Sequence, residues 1–182
     1  MKKKTITRLA TWIATTTACS LLFFTNTNAQ SKLTDPEIAK VAVVANQIDI
    51  GYAQIAKEKS KDKDVLEFAQ TMMNDHQAII DQAVALVKKL GVTPKDNALS
   101  KKLLEGSEKT KKMLRSKSGN AFNKAYIDNE VAYHKAVISI VGGTLIPQAQ
   151  NPELKGLLEK AAPTFKAHLA HAEMVQANYK GK

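Results

Sequence analysis

Three of the four histidines in the sequence occupy positions that favour metal binding. His76, His134 and His168 each lie on the apolar side of a predicted helix, about half-way along it. Asp49 lies half-way along an earlier predicted helix, and the midpoints of antiparallel helices meet at one level of a bundle. Imidazole and carboxylate ligands from facing helices are how bundle proteins bind iron, manganese or zinc. The spacing therefore predicts that these four side chains converge.

Two further carboxylates lie close enough along the chain to join this cluster or to orient its histidines. Asp75 precedes His76, and Glu130 lies one helical turn before His134. A bare carboxylate buried at mid-bundle is costly unless it is paired or coordinated, which favours a bound cation. The predicted set of metal ligands has six members: Asp49, Asp75, His76, Glu130, His134 and His168.

A metal-free polar network is the alternative interpretation of the same residues. In that case the histidines and carboxylates bond to one another and to Tyr52, Tyr126 or Tyr133, and so fix the register of the helices. A two-iron site is not predicted, because it needs a Glu-x-x-His motif on two helices. The residues three positions before the clustered histidines are Met73, Val131 and Phe165. The sequence leaves open a single ion of iron, manganese, zinc or copper, or a polar core without metal.

The segments that carry these residues repeat apolar side chains every three or four positions, as amphipathic helices do. Strand signals are almost absent. Thr34 and Asn151 each begin a start signal in which a capping side chain is followed by a proline. Gly91 is placed to end the second helix, and Gly142-Gly143 is predicted to end the fourth, with a loop over 144–150. The predicted helices span about 35–60, 62–90, 98–117, 121–141 and 152–179.

Four long helices and one shorter one predict an all-α fold, a ferritin-like up-down four-helix bundle. The shorter, Lys-rich helix at 98–117 takes the place of the long crossover between the second and third core helices. A chain of this length buries about 68–70% of its unfolded surface, enough for a core without covalent staples. We therefore predict a single bundle domain over residues 30–182.

Residues 1–29 are predicted to be a secretory signal peptide. A basic start is followed by an apolar, uncharged stretch at 9–24 and by a polar exit ending at Ala29, the predicted cleavage site. The apolar stretch is shorter than the about 20 residues that a membrane span needs. Cys19 is the only cysteine and leaves with the leader, so the mature chain has no disulfide or thiolate chemistry. We expect an exported protein in the periplasm or outer envelope, with no transmembrane span in its mature part.

The charge pattern excludes some partners and leaves one open. The leader holds four basic residues and no acidic one, so its removal lowers the formal net charge from +10 to +6. The Lys-rich faces are most simply solvated, and contact with acidic envelope polymers or lipid headgroups is the alternative. Nucleic-acid binding is not expected of an exported chain with few aromatics. No Ser-His-Asp order, phosphate loop or nucleotide fingerprint is present, so no catalytic or cofactor-binding residue is predicted.

The sequence also resembles an exported bacterial family, the domain of unknown function 4142. The resemblance covers about 35–176 and rests on motifs in all four long helices. The motifs are Ile48-Asp49-Ile50-Gly51, Phe68-Ala69-Gln70-Thr71-Met72-Met73-Asn74-Asp75-His76, Phe122-Asn123-Lys124-Ala125-Tyr126-Ile127, Val131-Ala132-Tyr133-His134-Lys135-Ala136-Val137, Pro163 and His168. The family usually has Glu where this chain has Asp49, and a shorter loop after Gly142.

The resemblance implies a ferritin-like bundle in the periplasm or outer envelope, with no established activity. It supports the polar centre without showing that a metal binds there. Our leading hypothesis is a non-enzymatic envelope or stress-related protein, with the mid-bundle Asp and His residues as a candidate site for one metal ion. The alternatives are a metal-dependent redox enzyme acting on peroxide or a similar oxidant, and a purely structural or adhesive bundle.

Overall fold

The computed structural model describes residues 32–179, all of whose regular elements are helical. Within this part of the chain, none of the helices combines the length and apolar character required to cross a bilayer. The predicted leader at 1–29 lies outside the described residues. The elements are α1 (Asp35–Lys59), α2 (Lys63–Lys89), α3 (Ala98–Arg115), α4 (Gly119–Ile140), a π-helical turn (Val141–Leu145), α5 (Ile146–Gln148) and α6 (Pro152–Tyr179).

The signals that start and end these helices act as the sequence predicts. The backbone N–H and the hydroxyl of Thr34 both donate to the Glu37 carboxylate, at 2.9 and 2.8 Å, which caps α1. Oδ1 of Asn151 accepts from the N–H groups of Glu153 and Leu154, at 2.9 and 3.1 Å, which caps α6. Gly91 ends that helix with a φ of 62°, a left-handed conformation that glycine adopts without strain.

Contacts at the two ends of the bundle define the direction of each helix. α3 begins beside the start of α1, where the Asn97 amide donates to the Glu37 carbonyl at 3.0 Å. It ends beside the last residue of α1, where the Lys59 ammonium donates to the Arg115 carbonyl at 2.9 Å. α3 therefore runs the length of α1 and returns the chain to the opposite end. As a result, α2 and α4 run in the same direction, antiparallel to α1 and α6.

α4 ends at Ile140, next to its predicted end at Gly142-Gly143, but the predicted loop over 144–150 is wrong. The chain stays helical through a π-helical turn to Gln148, and so most of the predicted 144–150 loop is helical. Both glycines are solvent-exposed, whereas Val141 and Leu145 on either side of them are buried. Burying these two apolar side chains against the core offsets the weak helix preference of glycine, which costs about 1 kcal/mol per residue. The Gln148 side chain also accepts a hydrogen bond from the Leu33 N–H at 2.6 Å.

The apolar core consists of two clusters, one toward each end of the bundle. One holds Phe68, Tyr126 and Ile127, and the other holds Ile38, Leu145 and Phe165. On α4 the first cluster extends to Val131 and the second begins at Val137. The boundary between the clusters is the level at which the buried polar residues of the core helices lie.

Candidate metal centre

The six residues singled out by spacing come together at this boundary. Five are buried, with exposed fractions of 0% for Asp49 and Glu130, 2% for His76, 1% for His134 and 3% for His168. One ring nitrogen from each of the three histidines lies within 4.8 Å of one from each of the others. Asp49, Glu130 and His134 form a second group within the same distance. The fourth histidine, His171, is outside both groups and contacts Phe68 edge-on.

Asp75 takes a different place from the other five. Its side chain is 46% exposed, and one carboxylate oxygen lies 2.9 Å from Nε2 of His168. The carboxylate can only accept, so Nε2 of His168 donates to it and Nδ1 is left as the acceptor. Asp75 therefore orients a histidine from outside the cluster, an arrangement common around metal-bound imidazoles.

His134 is oriented by its own helix. Its Nδ1 lies 2.9 Å from the backbone carbonyl oxygen of Glu130, one turn earlier in α4. A carbonyl accepts only, so Nδ1 carries the proton and Nε2 holds a lone pair. This lone pair faces Asp49, since the distance from Nε2 to Oδ2 is 3.6 Å.

His76 is oriented by Asn46, a residue that the sequence analysis did not select. The Asn46 amide nitrogen donates to the Ala42 carbonyl at 2.8 Å, which assigns its Oδ1 as the acceptor for Nδ1 of His76 at 2.7 Å. Nε2 of His76 therefore also carries a lone pair, and it lies 3.6 Å from Oδ1 of Asp49. Asn46 is buried on α1, one turn before Asp49, and this was the signal available in the sequence.

In the centre, the hydrogen-bond acceptor atoms of His76 and His134 thus face the acceptor oxygens of Asp49. Among the described residues, Nε2 of His76, Nε2 of His134 and Nδ1 of His168 have no hydrogen-bond partner, and the donor within reach of the Asp49 carboxylate is a protonated Glu130. A buried polar atom left unpaired costs about 1–3 kcal/mol. Lone pairs aimed at one carboxylate are stabilised by a cation between them, or by added protons.

Two of the three tyrosines in the alternative polar network, Tyr126 and Tyr133, make no hydrogen bond to the cluster. The Tyr133 hydroxyl donates to the Ala45 carbonyl at 2.8 Å, and the Tyr126 hydroxyl has no hydrogen-bond partner within the described chain. Tyr52 packs edge-on against Tyr133, with ring centroids 5.4 Å apart. The unpaired atoms of the cluster are therefore not satisfied by Tyr126 or Tyr133.

The two measured distances from Asp49 suit one small cation that it shares with His76 and His134, and His134 also belongs to the group of three histidines. Zinc binds imidazole nitrogen at about 2.0–2.1 Å and carboxylate oxygen at about 2.0–2.2 Å, so two of its ligands lie at most about 4.3 Å apart. The 3.6 Å separations between Asp49 and the two imidazoles fall within that limit. Three nitrogens and a carboxylate suit zinc, iron, copper or manganese better than magnesium or calcium, which favour all-oxygen sites.

Burial sets the protonation states that such an ion would meet. Burial lowers the pKa of His134 to about 4 and holds the pKa of His76 well below 6.5, with the neighbouring histidines adding to the second shift. The pKa of His168 is lowered less, because Asp75 opposes the effect of burial. All three imidazoles are thus neutral near pH 7, the form that binds metals.

The two carboxyl groups shift the opposite way. Burial raises the pKa of Asp49 from 3.8 to about 7. Burial also raises the pKa of Glu130 well above 4.5, and the charge on Asp49 adds to that shift. Near neutral pH the pair therefore retains at least one proton, which a bound cation would displace.

Comparison with known proteins assigns the chain to a family. No curated protein and no solved structure matches the sequence. The sequence model of one family, described as domain of unknown function (DUF4142), matches residues 24–175. That span contains every residue of the centre, from Asn46 to His168, and confirms the family expected from the motifs. The protein belongs to the DUF4142 family.

Proposed function

We propose that this protein is an exported, ferritin-like helical bundle that binds one divalent transition-metal ion between Asp49, His76, His134 and His168. Its role is then non-enzymatic, in metal binding within the bacterial envelope or in a stress response. Export is supported by the signal-peptide pattern at 1–29. The ferritin-like assignment is supported by the antiparallel core helices and by the crossover through α3.

One observation carries the metal proposal. Two imidazoles, each fixed by a hydrogen bond from Nδ1, aim Nε2 lone pairs at opposite oxygens of a single buried carboxylate. A structural network would place a donor between each Nε2 and Asp49, and among the described residues neither Nε2 atom has a hydrogen-bond partner. A cation coordinated by all of these atoms removes the penalty at once.

The ligands divide into those that would hold the ion and those that would position them. His76, His134, His168 and Asp49 would donate directly. Glu130 is the fifth group; burial and then the charge on Asp49 raise its pKa, so it can donate to Asp49 or bind the ion once it ionises. Asn46, Asp75 and the Glu130 carbonyl would hold the three rings in place.

The experiment is a metal analysis of the mature chain, produced without an affinity tag and recovered from the envelope fraction. Metal content by mass spectrometry should be close to one ion per chain in the wild type. The triple variant His76→Ala/His134→Ala/His168→Ala should contain none, whereas the matched control His171→Ala should keep the ion because His171 lies outside the cluster.

Two results would overturn the proposal. The first is wild-type protein that contains no metal and takes none up when zinc, iron, manganese and copper are added back. The second is an ion that survives the triple variant and is lost from His171→Ala. A metal-free outcome would favour the purely structural bundle.

A further inference from the structure

An apolar cavity lies beside the histidine cluster, in the half of the bundle where α1 starts and α2 ends. All four core helices line it, for example through Ala39, Ala83, Val137 and Leu158. Among residues 32–179, its only polar lining side chain is Asn46, whose amide already donates to the Ala42 carbonyl and accepts from His76. A water molecule needs two to four polar partners, so nothing in the cavity favours water over an apolar occupant.

The size of the cavity restricts its occupant. Its free volume is about 30 Å³. One water-sized sphere needs about 10–15 Å³ of such volume, so the space accepts about two of them, the size of a diatomic molecule. Benzene occupies engineered cavities of about 150 Å³, which excludes an aromatic ring or an acyl chain here. Hydrogen peroxide is polar and would find no hydrogen-bond partners.

The cavity is continuous with the walls of the histidine cluster. Four of its lining residues, Ala45, Asn46, Val137 and Phe165, also line a narrower space whose other walls are His76, His134 and Tyr133. Phe165 stacks on the His76 ring, with centroids 5.7 Å apart and planes 18° from parallel. The narrow space does not admit a water-sized sphere. Passage from the cavity to the imidazoles therefore needs the brief side-chain motions that occur on the picosecond to nanosecond scale.

We propose that this cavity binds a small, neutral, apolar gas molecule of the dioxygen type beside the imidazoles of the centre. The apolar wall excludes ions and hydrogen-bonding molecules, because they would lose their hydration on entering the cavity and gain no hydrogen-bond partner there. The use of such a gas at a bound metal rests on the proposed function, whereas the gas site itself does not.

The test uses dissolved dioxygen and the metal-free protein. Dioxygen is paramagnetic and speeds the relaxation of nearby methyl protons in an NMR spectrum. Methyl groups of Ala83, Val137 and Leu158, which line the cavity, should relax faster under oxygen than under nitrogen. The comparably buried methyl groups of Val131, Ala172 and Val175, in the opposite apolar cluster, should show a smaller enhancement.

A matched pair of variants tests whether the gas binds in the cavity. Ala83→Leu fills the cavity from α2, whereas Ala85→Leu adds the same atoms at an exposed position of the same helix. The excess relaxation should disappear in the first variant and persist in the second. Ala161→Leu, from the opposite wall on α6, should also remove the excess and replaces Ala83→Leu if that variant does not fold.

Uniform relaxation of both clusters in the wild type would overturn the gas site, as would an excess that survives both filling variants. These outcomes are independent of the metal analysis. Uniform relaxation in a protein that contains metal removes the gas site alone. An excess in a protein that never binds metal removes the metal centre alone.

Discussion

Replacement of Asp49 by asparagine separates a metal ligand from a structural residue, because the two roles predict opposite changes in stability. The variant keeps the shape of the side chain and removes its charge. Asp49 is fully buried, and burial raises its pKa to about 7 from an ordinary 3.8. In the metal-free protein the ionised carboxylate is therefore a cost that asparagine does not carry.

The size of this cost follows from the two pKa values. Each pH unit of difference corresponds to about 1.4 kcal/mol, so full ionisation costs the folded state about 4 kcal/mol. A buried amide with unpaired N–H groups costs about 1–3 kcal/mol of its own. We therefore expect metal-free Asp49→Asn to be about 1–3 kcal/mol more stable than the wild type at pH 8.

The sign of the pH dependence provides an internal check. A carboxyl group whose folded pKa is raised contributes no penalty below its unfolded pKa, and stability is lost as pH rises through the window from about 4 to 7. Asp49→Asn should thus be more stable than the wild type at pH 8 and less stable at pH 4, where the ionisation cost has almost gone and the cost of the buried amide remains. The histidines titrate in both proteins and largely cancel in this difference.

The assay is urea unfolding followed by far-ultraviolet circular dichroism, at pH 4 and pH 8, with a chelator or with excess zinc. In zinc the order should reverse, because the variant loses an anionic ligand and the wild type gains binding energy. A loss of stability in metal-free Asp49→Asn at pH 8 would refute the reasoning and identify Asp49 as a structural residue.

Three further predictions concern Asn46, the pH dependence of zinc binding and the two glycines of the π-helical turn. Asn46→Ala should weaken zinc binding by about 10–100-fold in a competition titration, because it releases the His76 ring, whereas the exposed Asn74→Ala should have no effect. Zinc affinity measured from pH 8 to pH 4 should fall by up to about tenfold per pH unit below pH 7, where Asp49 holds a proton, and more steeply near pH 4, where His134 gains one; an affinity independent of pH would contradict this assignment. Gly142→Ala and Gly143→Ala should each raise the free energy of unfolding by about 0.5–1 kcal/mol, since an added Cβ meets no atom within 4 Å and the segment is helical; a loss of stability in urea titrations would show that the π-helical turn needs both glycines.

The sequence predicts the helices well because their signals are local. Thr34 and Asn151 start α1 and α6, Gly91 ends α2, and apolar residues repeat with the helical period. The loop predicted after Gly142-Gly143 is wrong because contacts distant in the sequence decide the conformation of that segment. The burial of Val141 and Leu145 in the core outweighs the local preference of the two glycines, and no pattern in the sequence reports that burial.

For the candidate metal centre too, part of the arrangement is predictable from the sequence and part is not. The positions of Asp49, His76, His134 and His168 at mid-helix suffice to predict that they meet. Their orientation is not predictable from position, because it depends on Asn46 and on a backbone carbonyl. The apolar cavity is also beyond the sequence, since it is the space left where small residues of four helices, such as Ala39 and Ala83, face one another.

The most direct test of the metal centre is a crystal structure of the mature protein grown with zinc, with data collected on both sides of the zinc absorption edge. We predict one anomalous peak at mid-bundle, about 2.0–2.2 Å from Nε2 of His76, Nε2 of His134, Nδ1 of His168 and an oxygen of Asp49. An empty or water-filled centre in those crystals, with zinc only at surface sites, would contradict the account.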